Sequence, residues 1–296
     1  MTVRLLVTGS SGFVGTHLCR TIASRAEFEL VTLDRTRSVG ESRRSVLLGL
    51  PFQASRIREV LGELKCDVVV HTAAMSSFPS CQDNPSAAEE ANVRYVEELV
   101  SYCKEKGAYF CSISTDLVFD GNGDVPNDGF SEEDTPAPTS KYSVTKYEGE
   151  ERVRAALGQI EGVVLRSCLL YGAVAGTGGP LRWLKEAINQ GNEVPLFFDE
   201  WRTPLWVEDL VQIILRCCQQ RPSGVFHCAG PERVSRVEFG VRYAAMLGRK
   251  LNCKSVSRTS VPGPARPRDV SLNGIKLARE LGVTPTALDV GLFRSL

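Results

Sequence analysis

Tyr142 and Lys146 stand four residues apart in Lys141-Tyr142-Ser143-Val144-Thr145-Lys146, a spacing that puts both side chains on one face of a helix. An ammonium beside a phenol lowers the phenol's pKa from about 10 toward the working pH, which equips a tyrosine to transfer protons. Thr115, in Ser114-Thr115-Asp116, falls at the predicted end of a strand, where its hydroxyl can donate to a substrate carbonyl and hold it for hydride attack. A Tyr-x-x-x-Lys pair alone is more readily a surface contact. The ordered set of Thr115, Tyr142 and Lys146 is what points to chemistry on a carbonyl.

A second group of residues suits a nucleotide. Thr8-Gly9-Ser10-Ser11-Gly12-Phe13-Val14-Gly15 follows the first predicted strand and opens a helix. Glycine permits the tight turn and lets backbone N–H groups approach a pyrophosphate, while the helix N-terminus favours negative charge. Gly9, Ser11, Gly12, Phe13, Val14 and Gly15 are therefore candidate cofactor-binding residues. Asp34, nineteen residues beyond Gly15, ends the second predicted strand, where an acid accepts hydrogen bonds from the adenosine ribose hydroxyls and favours NAD. Arg35 and Arg37 follow at once and can pair with a 2′-phosphate, so NAD and NADP both stay open.

The elements that must position these residues alternate. Short apolar runs at residues 3–8, 29–33, 45–48, 67–71, 109–114 and 162–166 predict strands covered on both faces. Helix-period segments at 14–26, 55–64, 86–106 and 141–157 lie between them, which is the signature of βαβ units and a parallel sheet. The loop from Phe119 to Ser140 is rich in glycine, proline and acids and follows the strand that carries Thr115, so it reads as an active-site loop. Beyond Arg166 come a glycine-rich stretch at 172–179, helices near 181–190 and 207–219, a strand at 224–227 and a mixed tail.

Composition excludes other classes. The 296 residues include 43% hydrophobic and 24% charged residues, far from the signature of disorder. Thirty-five basic residues balance thirty-five acidic ones, so the overall field favours neither nucleic acid nor an anionic membrane as partner. No apolar run approaches the ~18 residues that span a bilayer, and no cleavable signal pattern precedes the glycine turn. The ten cysteines are scattered without a Cys-x-x-Cys pair, and His17, His71 and His227 are far apart, so no metal is assigned. A cytoplasmic protein with reduced thiols is expected.

Taken with His71-Thr72-Ala73-Ala74, Val118-Phe119-Asp120-Gly121, Leu165-Arg166, Leu170-Tyr171-Gly172, Thr203-Pro204 and Arg266-Pro267-Arg268-Asp269, the chain resembles an extended short-chain dehydrogenase/reductase of the dTDP-4-dehydrorhamnose reductase group. The resemblance implies an α/β fold: a Rossmann-type doubly wound parallel sheet of seven strands with a smaller mixed C-terminal substrate region. Residues 1–167 would form the NAD(P)-binding core and 168–296 mainly the substrate region, with segments near 206–229 returning to the core. It further implies Thr115, Tyr142 and Lys146 as the catalytic triad, Ala73 and Ala74 as further cofactor contacts, and hydride transfer to the 4-keto group of a nucleotide-linked sugar. Thr115, Asp116, Arg202 and Arg266 are the substrate-binding candidates, the two arginines being suited to a pyrophosphate or to surface ion pairs.

Leu117 and Leu169 depart from the group's aromatic residues, and residues 46–53 lack an acid that often orients adenine. The chain also resembles the regulatory β subunit of methionine adenosyltransferase through residues 131–138 and 266–268. That resemblance implies a cofactor-binding partner of another enzyme. An epimerase or dehydratase uses the same triad. Residues 86–106 and 141–157 are candidates for a homodimer face, though their apolar stripes serve a core equally well.

Overall fold

The computed structural model describes residues 2–36, 44–49, 52–62, 64–173, 180–260 and 266–296. Arg37, Leu50, Pro51 and residues 174–179 of the glycine-rich stretch lie outside the described residues.

Strands β1 (Val3–Thr8), β2 (Phe28–Asp34), β3 (Arg44–Leu47), β4 (Val68–His71), β5 (Tyr109–Thr115) and β6 (Gly162–Ser167) join an edge strand, Gly224–Cys228, in one seven-stranded sheet. From that edge the order is β6, β5, β4, β1, β2, β3. The β1–β2, β1–β4, β2–β3 and β4–β5 pairings are all parallel. The apolar runs form strands because both faces are covered: Leu5, Leu6, Val7, Val68, Val69 and Val70 are fully buried. Register then sets the functional end. Thr8 pairs with Leu33 on one side and His71 on the other, and His71 pairs with Ser112. Chain order reverses between β1 and β4, so the loops after these strands open where doubly wound sheets bind ligands.

The helices are α1 (Phe13–Ala23), α2 (Arg56–Leu61), α3 (Phe78–Asp83), α4 (Pro85–Glu89), α5 (Tyr95–Lys106), α6 (Lys141–Ala156), α7 (Pro180–Gln190), α8 (Val207–Gln220), α9 (Arg236–Met246), α10 (Ile275–Leu281) and α11 (Leu288–Arg294). The helix expected over 86–106 is interrupted: a π-helical turn, Glu90–Arg94, separates α4 from α5. The Asn92 side chain accepts from Met75 N at 2.9 Å and donates to Met75 O at 3.1 Å and Thr145 Oγ1 at 3.0 Å. A Cβ added at Gly149 would lie 2.3 Å from Asn92 O. These tertiary contacts, not local propensity, hold the widened turn. Helix α3 escaped the sequence reading because it spans less than two turns, too short for a helical period to show.

Two compact units divide the chain. The first comprises Met1–Ser114, Ser140–Leu165 and Val211–Val225. Its core joins sheet residues such as Leu6, Val31, Val69 and Phe110 to Val96, Leu99, Tyr102 and Val153, so the apolar stripes of α5 and α6 lie in that core. The second comprises Thr115–Thr139, Arg166–Leu210 and Phe226–Leu296, with a core around Tyr171, Leu184, Leu196, Phe239, Tyr243 and Leu292. None of the ten cysteines is in a disulfide. Among the described residues no helix is long and apolar enough to cross a membrane, and no group of His, Cys, Asp and Glu is placed to hold a metal.

Candidate active site

In the first unit the glycine turn folds against β4. Gly9 has φ +72°, and its N–H donates to Leu33 O at 3.2 Å while its carbonyl accepts from Gly12 N at 3.0 Å. A Cβ on Gly9 would lie 2.7 Å from Ala73 Cα, and one on Gly15 would lie 2.1 Å from Gly9 O. The turn therefore has no room for side chains at either position. Gly12 caps α1, which has neither a capping side chain nor an acid in its first turn, so its positive end suits an anion. Gly12 is exposed, with Ser11, Phe13 and Val14 half-buried beside it.

Asp34 is buried at the end of β2 and accepts from Ser10 Oγ at 2.7 Å. Burial pushes its pKa up, with hydrogen bonds from Ser10, Ser11 and Thr32 opposing. A ribose hydroxyl is a donor that such a carboxylate fits. Arg35 is exposed, Ala73 half-buried and Ala74 exposed. The glycine cradle, the α1 terminus and the Asp34 oxygen together fit a dinucleotide.

Helix α6 starts from a reciprocal cap: Ser140 Oγ accepts from Ser143 N at 3.1 Å, and Ser143 Oγ accepts from Ser140 N at 2.9 Å. That cap fixes the turn that carries Tyr142, whose half-buried ring lies 5.5 Å from Phe78 of α3. Lys146, one turn on, is buried, and its Nζ donates to Ile113 O on β5 at 2.7 Å. Burial pushes the ammonium down to about 8, opposed by the negative charge of Glu150. His71 ends β4 within the same unit, its Nδ1 2.8 Å from Thr8 Oγ1. Burial first, then the Lys146 charge, pushes it down to about 3, so it is neutral.

The remaining candidates fall in the second unit. Thr115 is buried at the end of β5, where its hydroxyl donates to Asp116 Oδ1 at 3.1 Å and accepts from Leu117 N at 3.2 Å. Asp116, Arg202 and Arg266 come together around a residue the sequence reading missed, Glu200. Arg202 Nε lies 3.7 Å from Asp116 Oδ2 and its Nη2 3.4 Å from Glu200 Oε1, while Arg266 Nη1 lies 3.6 Å from Glu200 Oε2. Arg236, also missed, places Nε 3.8 Å from Glu200 Oε1.

Three guanidiniums thus face two carboxylates. Burial raises the pKa of Asp116 and lowers that of Arg236, with the neighbouring opposite charges opposing both shifts. Arg202 Nη1, Asp116 Oδ2 and Glu200 Oε2 are buried without hydrogen-bond partners, so a polar ligand could complete the cluster. Arg266 is the most open, at 45% side-chain exposure, and lies over the Phe197 ring. A small apolar pocket lined by Leu169, Trp183, Leu184, Leu196 and Phe239 adjoins Arg236. Glu200 lay two residues before Arg202, a spacing that shares one face in extended chain; nothing in the sequence singled out Arg236.

Comparison with known proteins places this architecture. The RmlD substrate binding domain model matches residues 3–296. A probable low-salt glycan biosynthesis reductase of Haloferax volcanii is 29% identical over 96% of this chain and 94% of its own. The methionine adenosyltransferase 2 subunit beta of Pongo abelii is 27% identical over 99% of this chain and 87% of its own. The crystal structure of a dTDP-4-dehydrorhamnose reductase from Clostridium acetobutylicum superposes with a TM-score of 0.86 at 24% identity, covering 99% of this chain and 98% of the other. With a model matched along nearly its whole length, the chain belongs to the RmlD substrate binding domain family.

Proposed function

We propose that the protein is an NAD(P)-dependent reductase that converts the 4-keto group of a nucleotide-linked sugar to an alcohol, in the manner of dTDP-4-dehydrorhamnose reductases. The observation that carries the reading is Lys146: a buried ammonium fixed to Ile113 O, one helical turn after Tyr142 on a capped helix, in the unit that also holds the glycine cradle. When bound, the reduced nicotinamide supplies hydride to the carbonyl carbon. Tyr142 gives its phenolic proton to the carbonyl oxygen, and Lys146 stabilises the phenolate that remains and holds the nicotinamide ribose. The family resemblance assigns Thr115 a hydrogen bond to the substrate carbonyl. Asp34 takes the adenosine ribose. Arg202 and Arg266, with one positive charge in excess over the two carboxylates of their cluster, bind the sugar nucleotide's diphosphate. The name of the Haloferax relative agrees with a reductase.

The test is loss of absorbance at the nicotinamide band with NADH or NADPH and a panel of nucleotide-linked 4-keto sugars, dTDP-4-dehydrorhamnose among them. Oxidation that depends on the sugar, abolished in Tyr142→Phe with cofactor affinity kept, supports the reading. Full turnover by Tyr142→Phe overturns it. A second reading follows from the Pongo abelii relative: the chain binds cofactor as a regulatory partner of methionine adenosyltransferase. Tight cofactor binding without oxidation on any sugar, together with co-elution with that enzyme, would favour it.

A further inference from the structure

Glu150 lies four residues beyond Lys146 and eight beyond Tyr142, so the three share one face of α6. The carboxylate is 2% exposed, and a charge so deep in a protein needs a compensating partner. Ser114 Oγ donates to Glu150 Oε2 at 2.8 Å. The residue before it on β5, Ile113, accepts from Lys146 Nζ at 2.7 Å. One dipeptide at the end of β5 therefore holds both the acid and the ammonium, and nothing in the proton transfer proposed for Tyr142 uses the acid.

Resting on the reductase reading, we infer that Glu150 is a positioning residue: anchored by Ser114, its carboxylate keeps Lys146 protonated and seated on Ile113 O, and so keeps a positive charge available to Tyr142. Among the described residues, Glu150 is the charge that favours the Lys146 cation. His71, reaching it from β4, is neutral, and Tyr142 itself carries no charge until it has given up its proton. The opposing influences on Lys146 are burial, which favours the neutral amine, and Glu150, which favours the cation. Removing the acid leaves burial unopposed.

The test is the titration of Lys146 in protein labelled with 13C at lysine Cε, its resonance assigned by loss in Lys146→Arg, together with the pH–rate profile on the sugar. Glu150→Gln keeps the shape and an acceptor for Ser114 Oγ but not the charge. The Lys146 midpoint should fall by about one pH unit, a tenfold drop in the ratio of cation to amine. The alkaline limb of kcat should move the same way, and Glu150→Asp should restore part of the shift. Ser114→Ala, which removes one hydrogen bond from the carboxylate but leaves every charge in place, should move the midpoint in the same direction by less, and carries the test should Glu150→Gln not fold. An unmoved midpoint in a folded variant overturns the assignment. The titration is read on the protein alone, so a failed sugar assay with a shifted midpoint refutes the reductase reading and not the role of Glu150 toward Lys146.

Discussion

Gly9 and Gly107 both sit in left-handed backbone, at φ +72° and +67°, yet their surroundings differ. Gly107 closes α5 with nothing within 4 Å of an added Cβ, whereas at Gly9 that atom would lie 2.7 Å from Ala73 Cα and 2.8 Å from Ala73 N. Alanine at Gly107 should therefore carry only the cost of its backbone conformation, about 1–2 kcal/mol. Alanine at Gly9 should carry the same cost and in addition an overpacking cost of about 1–3 kcal/mol, since backbone atoms cannot swing aside as a flexible side chain can. Urea denaturation of both variants, compared at matched m-values, measures the difference. Titration with NADH adds the functional half: Gly9→Ala should weaken binding at least about tenfold, or 1.4 kcal/mol, while Gly107→Ala leaves it unchanged. Equal destabilisation of the two variants, or unaltered NADH affinity in Gly9→Ala, would refute the claim that the glycine turn is closed against β4 to receive a dinucleotide.

Other outcomes follow from the same geometry. His227, whose Nδ1 lies 2.9 Å from Phe130 O and whose Nε2 lies 3.2 Å from Arg166 Nη1, is pushed down to about 3 by burial and by the Arg166 charge. The unfolded chain binds a proton near pH 6.5 that the folded one refuses, so the stability held by neutral His227 is complete above pH 6.5 and is lost as pH falls toward 3. His227→Gln should remove up to about 1.4 kcal/mol per pH unit of slope in that window, read by urea denaturation at several pH values. Arg202→Met leaves Glu200 and Asp116 buried with less counter-charge, and should destabilise by about 3–5 kcal/mol in urea denaturation while raising KM for the sugar nucleotide. A loss below about 1 kcal/mol would mean the cluster is as open as a surface pair. Asp34→Asn should shift the ratio of NADH to NADPH affinity toward NADPH, because the carboxylate that accepts from a ribose hydroxyl repels a 2′-phosphate; an unchanged ratio in paired titrations removes Asp34 from coenzyme choice.

The parts legible in the sequence are those set by local pattern. β1 runs over Val3–Thr8 as read, and β2, β4, β5 and β6 fall within a residue or so of expectation, because strands covered on both faces are written as unbroken apolar runs. Gly9, Gly15 and Asp34 were legible because turn geometry and strand ends leave fixed spacings. Longer-range geometry was not. The π-helical turn at Glu90–Arg94 depends on Asn92 reaching Met75 and Thr145, partners far away in the chain, and no periodicity records such a contact. Arg236 joins Glu200 only after three two-residue β segments, helix α8 and the Gly224–Cys228 strand have folded back. Arg202 and Arg266 were read as alternatives, phosphate ligands or surface ion pairs. Arg202 is buried in an ion pair, so the surface alternative does not describe it, a distinction that residue type alone does not make.

Buried polar groups tie stability to ligand binding. A buried polar atom without a partner costs about 1–3 kcal/mol, and native proteins keep few of them. Tyr243 Oη, in the core of the second unit, is such an atom and carries no charge. Asp116, Glu200 and Arg202 are ionisable and buried together, each with an oppositely charged neighbour within 4 Å, and the loss of one partner costs more than the loss of a neutral one. A hydroxyl donated to Asp34 and a diphosphate accepting from Arg202 would each add a hydrogen bond to a charged group on binding, the stronger kind. A ligand at 100 times its Kd adds about 2.7 kcal/mol to the folded state, so saturation with cofactor should raise the urea midpoint of the protein.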